Sequence, residues 1–182
     1  MTNQYNQATD EQLVEIVRSV DREAYSYIMR RYESKLKRYA YYLIGDEDIA
    51  ADVVQESFIN AYINLQSCDC RRSFSSWMYR IVHNQAMNVV KRKKIFVSTE
   101  EMKEIRVENE IEDAVIKQEL VDHVHDCLLT LPLPYKLPLV LFFLEDKTYQ
   151  EISDILRIPI NTVATRINRA KGIIKKICQK KR

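Results

Sequence analysis

Apolar residues recur with the period of an α-helix along most of the chain. Leu13, Ile16 and Val17 mark a short leading helix, and a longer, tyrosine-rich helix is predicted over 23–44, ended by Gly45. From Ala50 the series Ala50, Val53, Val54, Ser57, Phe58, Ala61, Tyr62, Leu65 keeps the i, i+3, i+4, i+7 spacing through four turns, which buries one face. Asp48, Asp52, Gln55, Glu56 and Asn60 fall on the other side, and Asp46 stands where an N-cap belongs. A fourth helix is predicted over 73–93, with Phe74, Trp77, Met78, Ile81, Val82 and Val89 facing inward. That spacing makes Trp77 a core residue despite its stacking potential.

These elements predict a compact helical bundle over 8–94. The following stretch, 95–111, is polar, acidic and weakly periodic, and reads as a flexible linker. A second module over 112–182 begins with a helix to Thr130. A turn punctuated by Pro132, Pro134 and Pro138 follows, then an apolar helix through Val140, Leu141, Phe142, Phe143 and Leu144, then a helix pair. With only two glycines and four prolines, the chain has little material for hairpin turns. The predicted fold is therefore all-α, as two helical domains.

The helix pair has the layout of a helix-turn-helix. Thr148 followed three residues later by Glu151 is a capping box for Tyr149–Leu156, which buries Ile152, Ile155 and Leu156. Arg157, Ile158 and Pro159 make a tight connection, with proline at the start of the next helix. That helix buries Val163, Ile167, Ala170, Ile174 and Ile177 and presents Asn161, Thr162, Thr165, Arg166, Asn168, Arg169 and Lys171 on its other side. Arginine can meet guanine bidentately, asparagine can pair with adenine, and threonine can touch phosphate or a thymine methyl. The bland alternative is a charged helix hairpin with no ligand.

Charge placement favours a polyanion. The formal net charge is +2, yet residues 100–122 hold nine acids against three bases, a local charge of −6 that leaves +8 on the rest. Basic clusters flank the acidic stretch at Lys91, Arg92, Lys93 and Lys94 and at the C-terminal lysines and Arg182. Two basic regions joined by an acidic connector suit a protein that touches nucleic acid at two places. The polar first ten residues carry no signal pattern, and no apolar run reaches the roughly 18–20 residues a membrane span requires, so a cytoplasmic protein without membrane insertion is expected. Cys68, Cys70, Cys127 and Cys178 do not match common zinc spacings, even with His123 and His125 nearby, and read as reduced, structurally incidental thiols. No metal or cofactor is expected, and no catalytic residues emerge.

Two sets of motifs then resemble one family. Leu131-Pro132, Leu139-Val140-Leu141, Tyr149-Gln150-Glu151-Ile152, Ile158-Pro159-Ile160-Asn161-Thr162-Val163 and Arg166-Ile167-Asn168-Arg169-Ala170-Lys171 resemble region four of the sigma-70 family. The run 48–58, beginning Asp48-Ile49-Ala50, and the run 74–84, beginning Phe74-Ser75-Ser76-Trp77, resemble its region two. Both sets stand in the family's order with no third domain between them, the layout of extracytoplasmic-function (ECF, group IV) sigma factors.

The resemblance implies roles. Asp48, Asp52, Gln55 and Glu56 would dock on the beta-prime clamp of core RNA polymerase, with the second module on the beta flap. The loop 66–72 and the helix after it would meet the non-template strand of the minus-10 element. Asn84 sits where the family places a strand contact, and Tyr79, Arg80, His83, Asn88, Lys91 and Arg92 could supplement it. Asn161, Thr162, Thr165, Arg166, Asn168, Arg169 and Lys171 would read the minus-35 element of promoter DNA, and an anti-sigma factor is an expected partner. Three positions depart from the usual pattern: Asn88 replaces an aspartate, Ala164 a lysine or arginine, and Asn161 a frequent glycine. They put the preferred minus-35 sequence in question.

Two other readings compete. A simple transcriptional regulator would use the helix-turn-helix but leave the first bundle without a role. An enzyme would need a phosphate loop, a metal-ligand set or a nucleophile–base pair, and the motifs supply none of these.

Overall fold

A computed structural model describes residues 5–69, 73–97 and 125–180. The described residues are helical, with no strand among them. The order is α1 (Asp10–Ser19), α2 (Tyr25–Ile44), α3 (Glu47–Ile63), α4 (Phe74–Val97), a short helical segment α5 (125–129), α6 (Leu133–Phe143), α7 (Tyr149–Leu156) and α8 (Ile160–Lys180). The predicted linker 95–111 and the start of the second module lie largely outside the described residues, as do Cys70 and His123.

Local chemistry sets the boundaries. Thr9 and Gln12 form a reciprocal capping box on α1, each bonded to the other's backbone N–H. Asp46 accepts a 3.0 Å bond from the Ile49 N–H and starts α3. Gly45 ends α2 at φ +74, a left-handed cap that glycine adopts without a Cβ penalty. The predicted helix over 23–44 is shorter than expected: Asp21 caps a 3-10 turn, Arg22–Ala24, through the Glu23 N–H, and α2 starts only at Tyr25.

The expected proline-punctuated turn is also corrected, because Pro134 and Pro138 lie within α6. Pro134 falls in the first turn, where N–H groups have no helical partner to lose, and Pro138 sits one turn later and removes a single internal bond. Lys136, buried nearby, donates from Nζ to the Leu129 carbonyl at 2.6 Å and so ties the end of α5 to α6. Burial lowers its pKa to about 8.

Helices α1–α4 form one bundle around Leu13, Ile28, Leu36, Tyr39, Phe74 and Met78. Helices α6–α8 close around Leu141, Ile152, Ile155, Val163 and Ile167. One contiguous cluster of buried side chains runs through both, since α6 packs on α2 and α7 packs on α4. The buried thiol of Cys68 lies within this packing, and Cys127 is buried as well. Several apolar predictions were too generous, Ile81, Val89 and Ile174 being half-buried. Tyr62 is 40% exposed, packing only edge-on to Tyr25, and Trp77 and Leu156 are half-buried. No helix among the described residues is long and apolar enough to cross a membrane.

Candidate nucleic-acid interface

The helix-turn-helix starts at Thr148, whose hydroxyl accepts from the Glu151 N–H at 3.2 Å while the Glu151 carboxylate accepts from the Thr148 N–H at 2.9 Å. Helix α7 ends at Arg157 with φ +53, an uncommon conformation for a residue with a side chain. Bonds around the turn hold it there. The Arg157 N–H donates to the Ser153 carbonyl, and the Ser153 hydroxyl donates to the Ile158 carbonyl at 2.6 Å. The Pro159 carbonyl then accepts from Thr162 and Val163 and launches α8.

Val163, Ile167 and Ala170 are fully buried, so the opposite face of α8 is turned outward as predicted. Asn161, Thr162, Thr165, Arg166 and Arg169 line one groove of about 410 Å³. Pro134 and Tyr135 at the start of α6 form its other wall, two residues that spacing along α8 could not have found. The Thr165 hydroxyl donates to the Asn161 carbonyl at 2.8 Å, which leaves its methyl as the outward contact. Asn168 is exposed beside the groove. Lys171 turns away, with its ammonium 5.3 Å from the centre of the Phe143 ring.

On α4, Ser73 caps the helix by accepting from the Ser76 N–H, and the Glu11 carboxylate from α1 accepts from the Phe74 N–H. The predicted strand-contacting residues divide into two flanks. Asn84, Asn88, Lys91 and Arg92 are exposed. Tyr79 is buried, and its hydroxyl donates to the Glu145 carboxylate at 2.6 Å. Arg80 shares a cleft of about 280 Å³ with Ser67, Asp69, Ser73, Ser76, Trp77 and Asp154. The Ser76 hydroxyl there is the one buried side-chain polar atom without a hydrogen-bond partner among the described residues.

His83 is half-buried against Leu133, Leu137 and Pro138 of α6, with Nδ1 3.0 Å from the Tyr39 hydroxyl. Burial lowers its pKa from 6.5 to about 4. Between those values the unfolded chain binds a proton at His83 that the folded chain refuses, so stability falls as pH drops through that window. The expected loss is on the order of 2 kcal/mol, the pKa displacement at about 1.4 kcal/mol per unit less solvent screening at a half-buried ring. Chemical denaturation of wild type and His83→Asn at several pH values checks this. The gap between the two should change across pH 6.5 to 4, and a constant gap would remove His83 as the cause.

On α3, Asp48, Asp52, Gln55 and Glu56 are all exposed, and their spacing puts them on one stripe. The stripe continues into Ile59, 62% exposed, and Ile63, 71% exposed. Beside it Met29, Val54, Gln55, Ile59 and Tyr62 line an apolar groove between α2 and α3. Ile59 and Ile63 fall outside the buried spacing of α3, which was the available signal that they serve a surface.

Comparison with known proteins agrees with this layout. The Sigma-70 region 2 family matches residues 28–95, and the Sigma-70, region 4 family matches residues 122–173. The ECF RNA polymerase sigma factor SigW of Bacillus subtilis (strain 168) is 32% identical over 171 residues, covering 88% of this chain and 91% of that protein. The ECF RNA polymerase sigma-E factor of Haemophilus influenzae is 32% identical over 179 residues, covering 92% and 94%. The same fold occurs in the sigma factor RpoE of Bartonella quintana, solved with the anti-sigma factor NepR (TM-score 0.72, 16% identity, 86% of this chain and 98% of that one). CnrH, solved with the cytosolic domain of CnrY, shares it too (TM-score 0.71, 20% identity, 93% and 97%).

The chain belongs to the sigma-70 family of RNA polymerase sigma factors, and within that family to the ECF group. Sigma factors are transcription initiation factors rather than enzymes, and the regulator that binds duplex DNA without polymerase is not the favoured reading.

Proposed function

We propose that the chain docks on core RNA polymerase through the α3 stripe and grips a promoter at two points, with α8 on the minus-35 duplex and α4 on the opened minus-10 strand. The functional modules are 8–94 and 112–182, with 95–111 as their connector. One observation carries this reading: the two modules present separate open polar faces of different chemistry. The α3 stripe is acidic and amide-bearing at one end and apolar at the other. Carboxylates there can orient a basic partner surface such as a polymerase clamp, while Ile59, Tyr62 and Met29 supply buried area.

The α8 groove suits a duplex edge. Its two arginines, Arg166 and Arg169, flank a threonine methyl and an asparagine. On α4, Lys91 and Arg92 give a basic path beside the amides of Asn84 and Asn88, and the cleft holding Arg80, Trp77 and the unpartnered Ser76 hydroxyl can receive an extruded base. An anti-sigma factor is a further proposed partner, the kind of protein with which the Bartonella relative was solved. The expected location is cytoplasmic.

Transcription in vitro with core polymerase on a genomic fragment library, followed by start-site mapping, tests the reading. Discrete, chain-dependent start sites support it, and duplex binding without any transcription overturns it. On a promoter found in this way, Arg166→Ala and Arg169→Ala are each expected to cost about 1–3 kcal/mol in minus-35 binding and to relax specificity at one position, as for a base contact. Fluorescence anisotropy against point-substituted duplexes reads both. Uniform weakening across all sequences would reassign that arginine to phosphate.

A further inference from the structure

Helix α1 belongs neither to the docking stripe nor to either reading face, and its buried residues Leu13, Val14 and Val17 occupy only one of its sides. Two of its polar side chains reach the segment that joins α3 to α4. Arg18 donates from Nε to the Leu65 carbonyl at 3.1 Å. One terminal nitrogen of the same guanidinium donates to the Leu65 carbonyl at 2.6 Å and to the Cys68 carbonyl at 2.5 Å. The other pairs with Glu15, one turn back on α1, at 2.6 Å. Glu11 accepts from the N–H of Phe74, the first residue of α4, at 3.3 Å. Positions 11 and 18 are seven apart, so both lie on one face of α1. A single helix thus holds the entry of the connection, at 65–68, and its exit, at 74.

The entry leaves α3 through a 3-10 turn, Leu65–Ser67, in which the Ser67 and Cys68 N–H groups donate to the Asn64 and Leu65 carbonyls. Leu65 and Cys68 are buried, whereas Gln66, Ser67 and Asp69 are exposed. Ser67 and Asp69 belong to the cleft that also holds Ser76, Trp77 and Arg80. The carbonyls bound by Arg18 lie on either side of Ser67, and one of them directly precedes Asp69. The position of the guanidinium therefore sets where this wall stands relative to Ser76 and Arg80. The Arg18 side chain is only 13% exposed, so water competes little for its bonds. A guanidinium offers several donors in one rigid plane, and a lysine ammonium is a point charge on a flexible stem.

We infer that α1 is the template of the strand-reading cleft, with Arg18 as the positioning residue that fixes its Ser67–Asp69 wall. The inference rests on the reading of that cleft as the receptor of an extruded base. Arg18 is not among the residues that line the cleft and acts through the loop backbone. A wall ordered beforehand asks nothing further of the incoming base, whereas a loosened wall has to be ordered at every binding event. The leading helix is in this way tied to the reading of the opened strand without contributing a residue to it.

Arg18→Met keeps the aliphatic stem and removes the donors, and Arg18→Lys keeps the charge without the fork. Each is assembled with core RNA polymerase and titrated by fluorescence anisotropy against forked templates of a promoter that the wild-type holoenzyme transcribes. The templates are duplex through the minus-35 element and single-stranded through the non-template minus-10 element. All four bases are compared at the minus-10 position where wild type discriminates most. Arg18→Met should bind the cognate fork about tenfold more weakly, the cost of ordering roughly one further residue. It should also lose most of its preference among the four bases. Arg18→Lys should fall between the two. Core affinity and binding of a duplex carrying the minus-35 element alone should match wild type.

Cognate-fork affinity and base preference equal to wild type in both variants would overturn the inference. A loss that is the same for all four bases would overturn it too, because a positioned wall acts on the base it holds. If Arg18→Met does not fold, Arg18→Lys carries the same comparison. A wild-type holoenzyme that opens the promoter yet ignores every minus-10 base would overturn the reading of the cleft itself, a result visible before any variant is made.

Discussion

Replacing Asp52 and Glu56 together by lysine is expected to weaken binding to core RNA polymerase by about 30-fold or more while leaving helix content and unfolding temperature unchanged. Both residues are exposed on α3, Asp52 just before the buried Val53–Val54 pair and Glu56 just before the buried Ser57–Phe58 pair. No described hydrogen bond ties either side chain to the fold, so reversal disturbs no internal pairing. At an interface, losing one partner of a buried, hydrogen-bonded charge pair costs about 2–5 kcal/mol, and a like charge in its place adds repulsion. At about 1.4 kcal/mol per decade this spans about 30-fold to several thousandfold in Kd. Titration of labelled chain with purified core polymerase measures it. Raising salt should narrow the gap if the pairs sit at a wet rim and preserve it if they are buried. Core affinity equal to wild type would move the docking face elsewhere, with the Met29, Ile59 and Tyr62 groove as the next surface to alter.

The second large effect falls on stability. Ile167 is fully buried on the inner side of α8, against the core of the second module. Ile167→Ala keeps helix propensity, because alanine is the best helix former, so the cost is one of packing. Truncating a buried isoleucine to alanine costs about 2–5 kcal/mol, according to how far the surrounding cavity collapses. At about 2–4 °C per kcal/mol for a chain of this size, the melting temperature should fall by roughly 4–20 °C. Minus-35 binding should be lost with it, because Arg166 and Asn168 flank Ile167 and rely on the same helix for their positions. Saturating cognate duplex should restore part of the melting temperature by mass action. A melting temperature within 1–2 °C of wild type, a loss smaller than a packed core position carries, would show that the site is looser than its burial implies.

Most of this architecture was legible before any coordinate. Helical periodicity located α3, α7 and α8, and local capping chemistry marked the end of α2 at Gly45 and the starts of α3 and α7 at Asp46 and Thr148, because such signals depend on residues within one turn of each other. The outward faces of α3 and α8 followed from the same arithmetic. The misses share a cause. Asp21 rather than helix propensity decided where α2 begins, and Pro134 and Pro138 were tolerated inside α6 because one sits in the first turn and the other removes a single bond. Tyr62 matched the apolar spacing but lies at a helix end with too few neighbours to cover it.

What periodicity could not supply was anything that depends on two distant segments meeting. Tyr135 joins the α8 groove only because α6 packs across α8. Tyr79 and His83 looked like surface residues of a basic helix, yet they lie under the second module, 66 positions separating Tyr79 from its partner Glu145. In the sequence Glu145 is one carboxylate in a polar turn. Its burial comes from α2 and α4 arriving from the other module, and desolvation is a property of what surrounds a group rather than of the group itself. The sequence by itself determined the helices, their order, the family and which face of α3 and α8 turns outward. The tertiary structure decided which of those faces are free, because exposure is shared out by packing between elements that no local pattern encodes.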